Sequence, residues 1–93
     1  MEFEWDPQKA ARNLRKRSIS FTEASTVFDD PLSVTVPDPD HSADEDRFII
    51  VGQSHRRRSL IVSFTERGDR FRIISARELT RAESESYEEE QYE

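Results

Sequence analysis

The chain opens on an alternation of apolar and polar positions, Phe3-Glu4-Trp5, that predicts a short strand. Asp6-Pro7 follows as an N-cap with proline at the first helical position, predicting a helix to about Arg17. Its apolar side is thin (Ala10, Ala11, Leu14), so Trp5 and Leu14 are expected to anchor it. Ser20 and Glu23 form a capping box for a second helix, with Ile19 and Ala24 placed as a hydrophobic staple. Phe21, Ala24, Val27 and Phe28 face one way, and Asp29-Asp30-Pro31 ends that helix.

Leu32 to Val36 alternates as a half-buried strand, and a polar loop runs from Pro37 to Asp46. Three strand-like runs come next: Arg47–Gln53, Ser59–Phe64 and Arg70–Ala76. Their connections, His55-Arg56-Arg57-Arg58 and Glu66-Arg67-Gly68-Asp69, are short enough for an antiparallel meander, with Gly68 supplying a positive φ. Leu79 to Glu93 reads as a helix capped by Thr80 with Glu83, poor in apolar residues and expected to fray. The order β-α-α-β-β-β-β-α predicts an α+β fold: two N-terminal helices packed on a four-stranded, largely antiparallel sheet, then a C-terminal helix. One domain, 1–93, is expected. Leu, Ile, Val and Phe supply 21 of 93 residues, so the core is thin and a partner is expected to complete it.

Composition narrows the chemistry. There are no cysteines, which excludes disulfides, thiolate zinc sites and a cysteine nucleophile. With no membrane-length apolar run and an acidic N-terminus, a cytoplasmic protein is expected. The net charge of −6 is unevenly placed. Residues 1–77 carry 13 basic and 13 acidic side chains, whereas residues 78–93, the predicted C-terminal helix, carry one Arg and seven Glu. The body is thus neutral and Arg-rich, and arginine's planar fork suits bidentate phosphate binding.

No glycine-rich phosphate loop exists, since Gly52 and Gly68 are the only glycines. Asp38, Asp40 and Ser42 fit the first offsets of a calcium loop, but Ala43 and Ile49 stand where its glycine and bidentate glutamate belong, so no metal is expected. His41 is a candidate general acid or base in that loop. The arginines carry most information: Arg56, Arg57 and Arg58 share one turn, Arg67 lies in the next, and Arg70, Arg72 and Arg77 flank the last strand. Strict alternation puts Arg77 on a face with Phe71, Ile73 and Ser75, where a guanidinium must be paired to a carboxylate or directed into a cleft.

Phe3-Glu4-Trp5-Asp6-Pro7-x-Lys9-Ala10, Asn13-Leu14-x-Lys16, Ser20-Phe21-x-Glu23-Ala24 and Val27-Phe28-x-Asp30-Pro31 together resemble the BrnT toxin family. The likeness continues through Asp40-His41-Ser42, Glu45-x-Arg47-Phe48, Thr65-Glu66-Arg67-Gly68-Asp69 and Arg72-Ile73-Ile74-Ser75-Ala76-Arg77. Two places depart from the family: Lys16-Arg17-Ser18 stands where Lys-His-Gly is frequent, and Ala82, Ser84, Glu85 and Ser86 stand where arginines are common. The resemblance implies a RelE-like fold and a bacterial toxin that cuts RNA to stop translation. It also implies neutralisation by a BrnA-type antitoxin, with a heterotetrameric complex reaching operator DNA only through the antitoxin.

RNA can be cut without a metal or other cofactor, by attack of its 2′-hydroxyl on the adjacent phosphodiester. The protein must then orient the sugar, neutralise the phosphorane and move two protons. The expected catalytic set is Arg77 and Arg67 on the phosphate, Glu66 or His41 as base, and Tyr87 as acid or stacking ring. Lys9, Arg56, Arg57, Arg58 and Arg72 are the expected RNA-binding residues. Cutting that needs the ribosome is a further expectation to test. The rival expectation is a non-catalytic protein-binding module, or a degenerate toxin acting only through its antitoxin complex.

Overall fold

The computed structural model describes residues 2–38, 40 and 46–92, with side chains up to residue 88. Strand β1 (Glu2–Glu4) leads into helix α1 (Pro7–Arg17) and helix α2 (Phe21–Thr26), which tightens into a 3-10 turn over Val27–Asp29. Strands β2 (Val34–Pro37), β3 (Arg47–Gln53), β4 (Ser59–Arg67) and β5 (Arg70–Glu78) follow, then helix α3 (Arg81–Tyr92). The predicted caps are present. Asp6 accepts from the Gln8 amide at 2.8 Å, Ser20 from Glu23 at 3.0 Å, and Thr80 from Glu83 at 3.2 Å. Gly68 turns the β4–β5 hairpin at φ 63°.

The sheet has five strands in the order β1-β5-β4-β3-β2, and it is mixed. This corrects the four-stranded expectation: β1 joins the edge of β5 in parallel, Glu2 opposite Arg70 and Glu4 opposite Arg72. Two cross-strand ion pairs hold it, Arg70–Glu2 at 3.2 Å and Arg72–Glu4 at 2.9 Å. Phe3 adds an apolar anchor, edge-on to Phe28 at 5.0 Å.

Helix α2 and its flanking residues cover one face, with α1 beside them along β5. Ile19, Phe21, Ala24 and Val27 pack on Ile50, Leu60, Val62, Phe64, Ile73 and Ala76, flanked by a cluster of phenylalanines. Phe28 sits between Phe64 at 4.9 Å and Phe71 at 5.4 Å, contacts worth about 0.5–1.5 kcal/mol each beyond their buried area. Trp5 meets Phe21 edge-on at 6.0 Å, as expected of an anchor. Leu14 does not serve as one: it is 52% exposed. The helix turns its Asn13 side inward instead, and the asparagine ties α1 down through polar contacts.

Gly52 marks a close approach, because a Cβ there would come within 3.0 Å of Val27 and 2.9 Å of Ser33. Beside it, Asp30 accepts from the amides of Leu32 at 2.9 Å and Gln53 at 2.8 Å, so the turn into β2 is clamped to the end of β3. At that end of the sheet, Tyr87 of α3 donates its hydroxyl to the Leu32 carbonyl at 2.8 Å. Since α3 begins beside β5 and Tyr87 reaches the approach to β2, the helix spans the sheet's width.

Candidate nucleic-acid interface

An irregularity in β5 builds the site. Ser63 pairs with Ser75 but Phe64 pairs with Ile73, so Ile74 is an extra residue opposite the Ser63/Phe64 step. Such a bulge reverses the side-chain alternation beyond it. Phe71 and Ile73 face the core, and after the bulge Ala76 does, leaving Ser75 exposed and Arg77 half-exposed on the opposite side. Arg77 therefore does not share a face with Phe71 and Ile73, as strict alternation predicted.

β1 stops opposite Arg72, which leaves the edge of β5 uncovered beyond that point. α1 lies there. Asn13 stands in for the missing strand: its Oδ1 accepts from the Ala76 amide at 3.2 Å, and its Nδ2 donates to the Ile19 carbonyl at 3.0 Å. Between α1 and β5 runs a cleft of about 260 Å³, lined by Lys9, Arg12, Asn13, Lys16, Arg17, Ile74 and Ser75. A second recess of about 100 Å³ shares Asn13, Arg17 and Ser75 with it and continues to Ser63 and Arg77. Lys9, Arg12 and Lys16 follow one another at steps of three and four residues, and Arg17 stands four on from Asn13, which places these four cations along one side. Lys9, Arg12, Lys16 and Arg17 have no carboxylate partner among the described residues. Arg15, Lys16 and Arg17 also occupy the last turn of α1, where the helix dipole favours positive charge.

Arg77 is engaged. It donates from both terminal nitrogens to Glu83 of α3, at 2.8 and 2.9 Å, and to the Glu78 carbonyl at 3.1 Å. The Arg77 hydrogen bonds, then the Thr80 amide, hold the Glu83 carboxyl down at about 2. Arg77 is raised by the same bond. Of the two outcomes expected for Arg77, carboxylate pairing and direction into a cleft, the structure has both.

The other predicted residues divide. Lys9 lines the cleft. Arg56 and Arg57 are exposed in the β3–β4 turn, Arg57 at φ 62°. Arg58 of the same turn is turned inward: it donates from Nε to Glu23 at 2.9 Å, makes a second, short bond to that carboxylate, and reaches the Ser18 carbonyl at 3.0 Å. Ser54 also donates to Glu23, at 2.7 Å, so this carboxylate, 2% exposed, is fully satisfied, with its pKa lowered chiefly by Arg58. Arg72 is held by Glu4. Glu66 and Arg67 lie at the far hairpin, five and six residues along β4 from Ile61, the register partner of Arg77. That is roughly 16–20 Å along the strand. The structure therefore does not bring Glu66 and Arg67 to the phosphate that Arg77 could touch. Burial, then Asp30, raises the Tyr87 pKa, which keeps its hydroxyl a donor, here to Leu32. His41 and most of the acidic loop lie outside the described residues.

Arg12, Lys16, Arg17, Asn13 and Ser75 were missed as a site. Their signal was the helical spacing of cations around Asn13, Lys9-x-x-Arg12-Asn13-x-x-Lys16-Arg17.

The family model of the ribonuclease toxin BrnT, of type II toxin–antitoxin systems, matches residues 5–83. The chain belongs to this family. A BrnT chain is a ribonuclease toxin with an antitoxin for a partner, and a cleft of cations is an arrangement suited to RNA. The fold agrees: the 1.1 Å crystal structure of the Brucella abortus ribonuclease toxin BrnT superposes with a TM-score of 0.69 at 21% identity, covering 87% of this chain and 99% of that one. No curated protein matches the chain. No helix among the described residues is long and apolar enough to cross a membrane.

Proposed function

We propose that the α1–β5 cleft grips an RNA strand by its phosphates and that the chain cuts it through the RNA's own 2′-hydroxyl. In that reaction a bond forms from the 2′-oxygen to phosphorus and the bond to the 5′-oxygen breaks. One proton leaves the 2′-hydroxyl and one is delivered to the 5′-oxygen, giving a cyclic phosphate and a 5′-hydroxyl end. The observation that carries this reading is the row Lys9, Arg12, Lys16 and Arg17 facing Ser75 and leading to Arg77. Phosphate contacts position a strand, and a guanidinium at the reacting phosphate stabilises the charge that develops there. The cleft's own cations supply that charge in this scheme, with no metal in the role.

Glu66 and Arg67 fit a contact to a distant part of the RNA better than a share in the same centre. A BrnA-type antitoxin in a heterotetramer, operator binding through that antitoxin, and arrest of translation complete the proposal. The rival reading, a module that only holds its antitoxin, draws on one observation: among the described residues β2 is an edge strand of the sheet, with Val36 exposed.

The test is incubation of the antitoxin-free chain with end-labelled RNA alone in EDTA and, separately, with translating ribosomes in magnesium buffer, beside its Arg77→Ala form. Cuts ending in cyclic phosphate, reduced on the order of 10²–10³ in rate by the substitution, are expected. RNA left intact in both settings would overturn the reading in favour of the binding module.

A further inference from the structure

α3 differs from the rest of the chain in charge and in attachment. It carries Arg81 against five glutamates. None of its described side chains is fully buried, and Ser84, Tyr87 and Glu88 stand over a cavity of about 170 Å³ facing Leu32, Gln53 and Ser59. Among the described residues, its side chains reach the body through the Tyr87 hydroxyl on the Leu32 carbonyl, just before β2, and the paired bonds of Glu83 to Arg77 on β5. A helix so loosely seated costs little to lift.

Glu83 also meets the cleft cation Arg77 on the edge formed by its two terminal nitrogens, and with the Glu78 carbonyl it engages three of the five guanidinium N–H donors. A carboxylate and a phosphodiester offer a guanidinium the same pair of oxygens, so both cannot hold the Nη1–Nη2 edge of Arg77 at once. The pair is half-exposed, 39% and 36%, which makes it exchangeable with solvent-borne anions rather than locked. The α1 cations are open to a strand while this exchange is pending.

We propose that Glu83 is an internal competitor of RNA: it occupies Arg77 in the free protein, and a bound strand must displace it, and with it α3, to place a phosphate on that guanidinium. The proposal rests on the RNA-binding reading above. It makes α3 an autoinhibitory strap whose release accompanies loading of the cleft. Strand capture then proceeds in two stages, first on α1 and then on Arg77.

The test measures binding of a fluorescent 2′-O-methyl oligoribonucleotide, which cannot be cut, to the full chain at low salt. Glu83→Gln is expected to tighten binding about tenfold, because it removes a charge-assisted competitor. Glu85→Gln removes the same charge from the same helix, at an exposed position 3.5 Å from Arg81, and is expected to gain threefold or less, on the order of general electrostatics. Arg77→Ala added to Glu83→Gln should cancel the larger gain. Equal gains in the two glutamate variants, or weaker binding by Glu83→Gln, would overturn the competitor while leaving RNA binding intact. Absence of binding by both the wild type and Glu83→Gln would overturn the RNA reading together with it.

Discussion

Two arginine–glutamate pairs of nearly the same chemistry stand at one end of this sheet, and their surroundings give them opposite uses. Glu23 is buried on the inner side of α2, satisfied by Arg58 and Ser54, and the same arginine reaches Ser18 and Glu78. It joins both N-terminal helices to the β3–β4 turn. Glu83 and Arg77 sit half in solvent, between a loosely seated helix and a basic cleft. Burial decides which pair can let go. A buried carboxylate stripped of its partner has no water to turn to, whereas an exposed one exchanges partners at small cost.

Breaking the buried pair should have the largest effect. Arg58→Ala, which leaves Glu23 without its main partner, is expected to cost about 3–5 kcal/mol in urea unfolding. Glu83→Ala should cost about 1 kcal/mol or less by the same measure. Equal costs would erase the distinction between strut and strap.

Acid sharpens the comparison at a smaller scale. Both carboxyls are held below their ordinary value of 4.5, so each adds stability that is complete above that value and is lost as pH falls through its folded one. For Glu83 the window runs from 4.5 down to about 2. Urea midpoints of Glu83→Gln should therefore fall less steeply than those of the wild type across that window. Parallel curves would mean that the Arg77 pair is absent in solution.

Much of the fold was legible because local chemistry and the final structure agree. Asp6-Pro7, Ser20 with Glu23 and Thr80 with Glu83 start helices where their side chains can cap them, and Gly68 turns the hairpin its φ requires. The parallel seat of β1 was not legible, since pairing Glu2 with Arg70 joins positions far apart in the chain. The bulge at Ile74 was invisible for a different reason: Phe71-Arg72-Ile73-Ile74-Ser75-Ala76-Arg77 reads equally well without a break in alternation. That one residue moved Arg77 from the core face to the cleft. Arg58 was counted with its neighbours in the turn, yet only a tertiary partner, Glu23, separates it from Arg56 and Arg57. Lys9 was legible as a candidate, but Arg12, Lys16 and Arg17 gain their meaning only from β5 beside them, a neighbour that helical spacing alone does not reveal.

The most direct test of the account is the salt dependence of RNA affinity for three forms of the chain. Each single-strand phosphate contact contributes about 0.7 to the slope of log affinity against log salt. Arg12→Ala with Lys16→Ala should therefore lower the slope by about 1.4, and Arg67→Ala, at most one distant contact at the far hairpin, by about 0.7 or less. A slope that falls with Arg67→Ala and not with the α1 pair would place the RNA at the other end of the sheet and contradict the cleft.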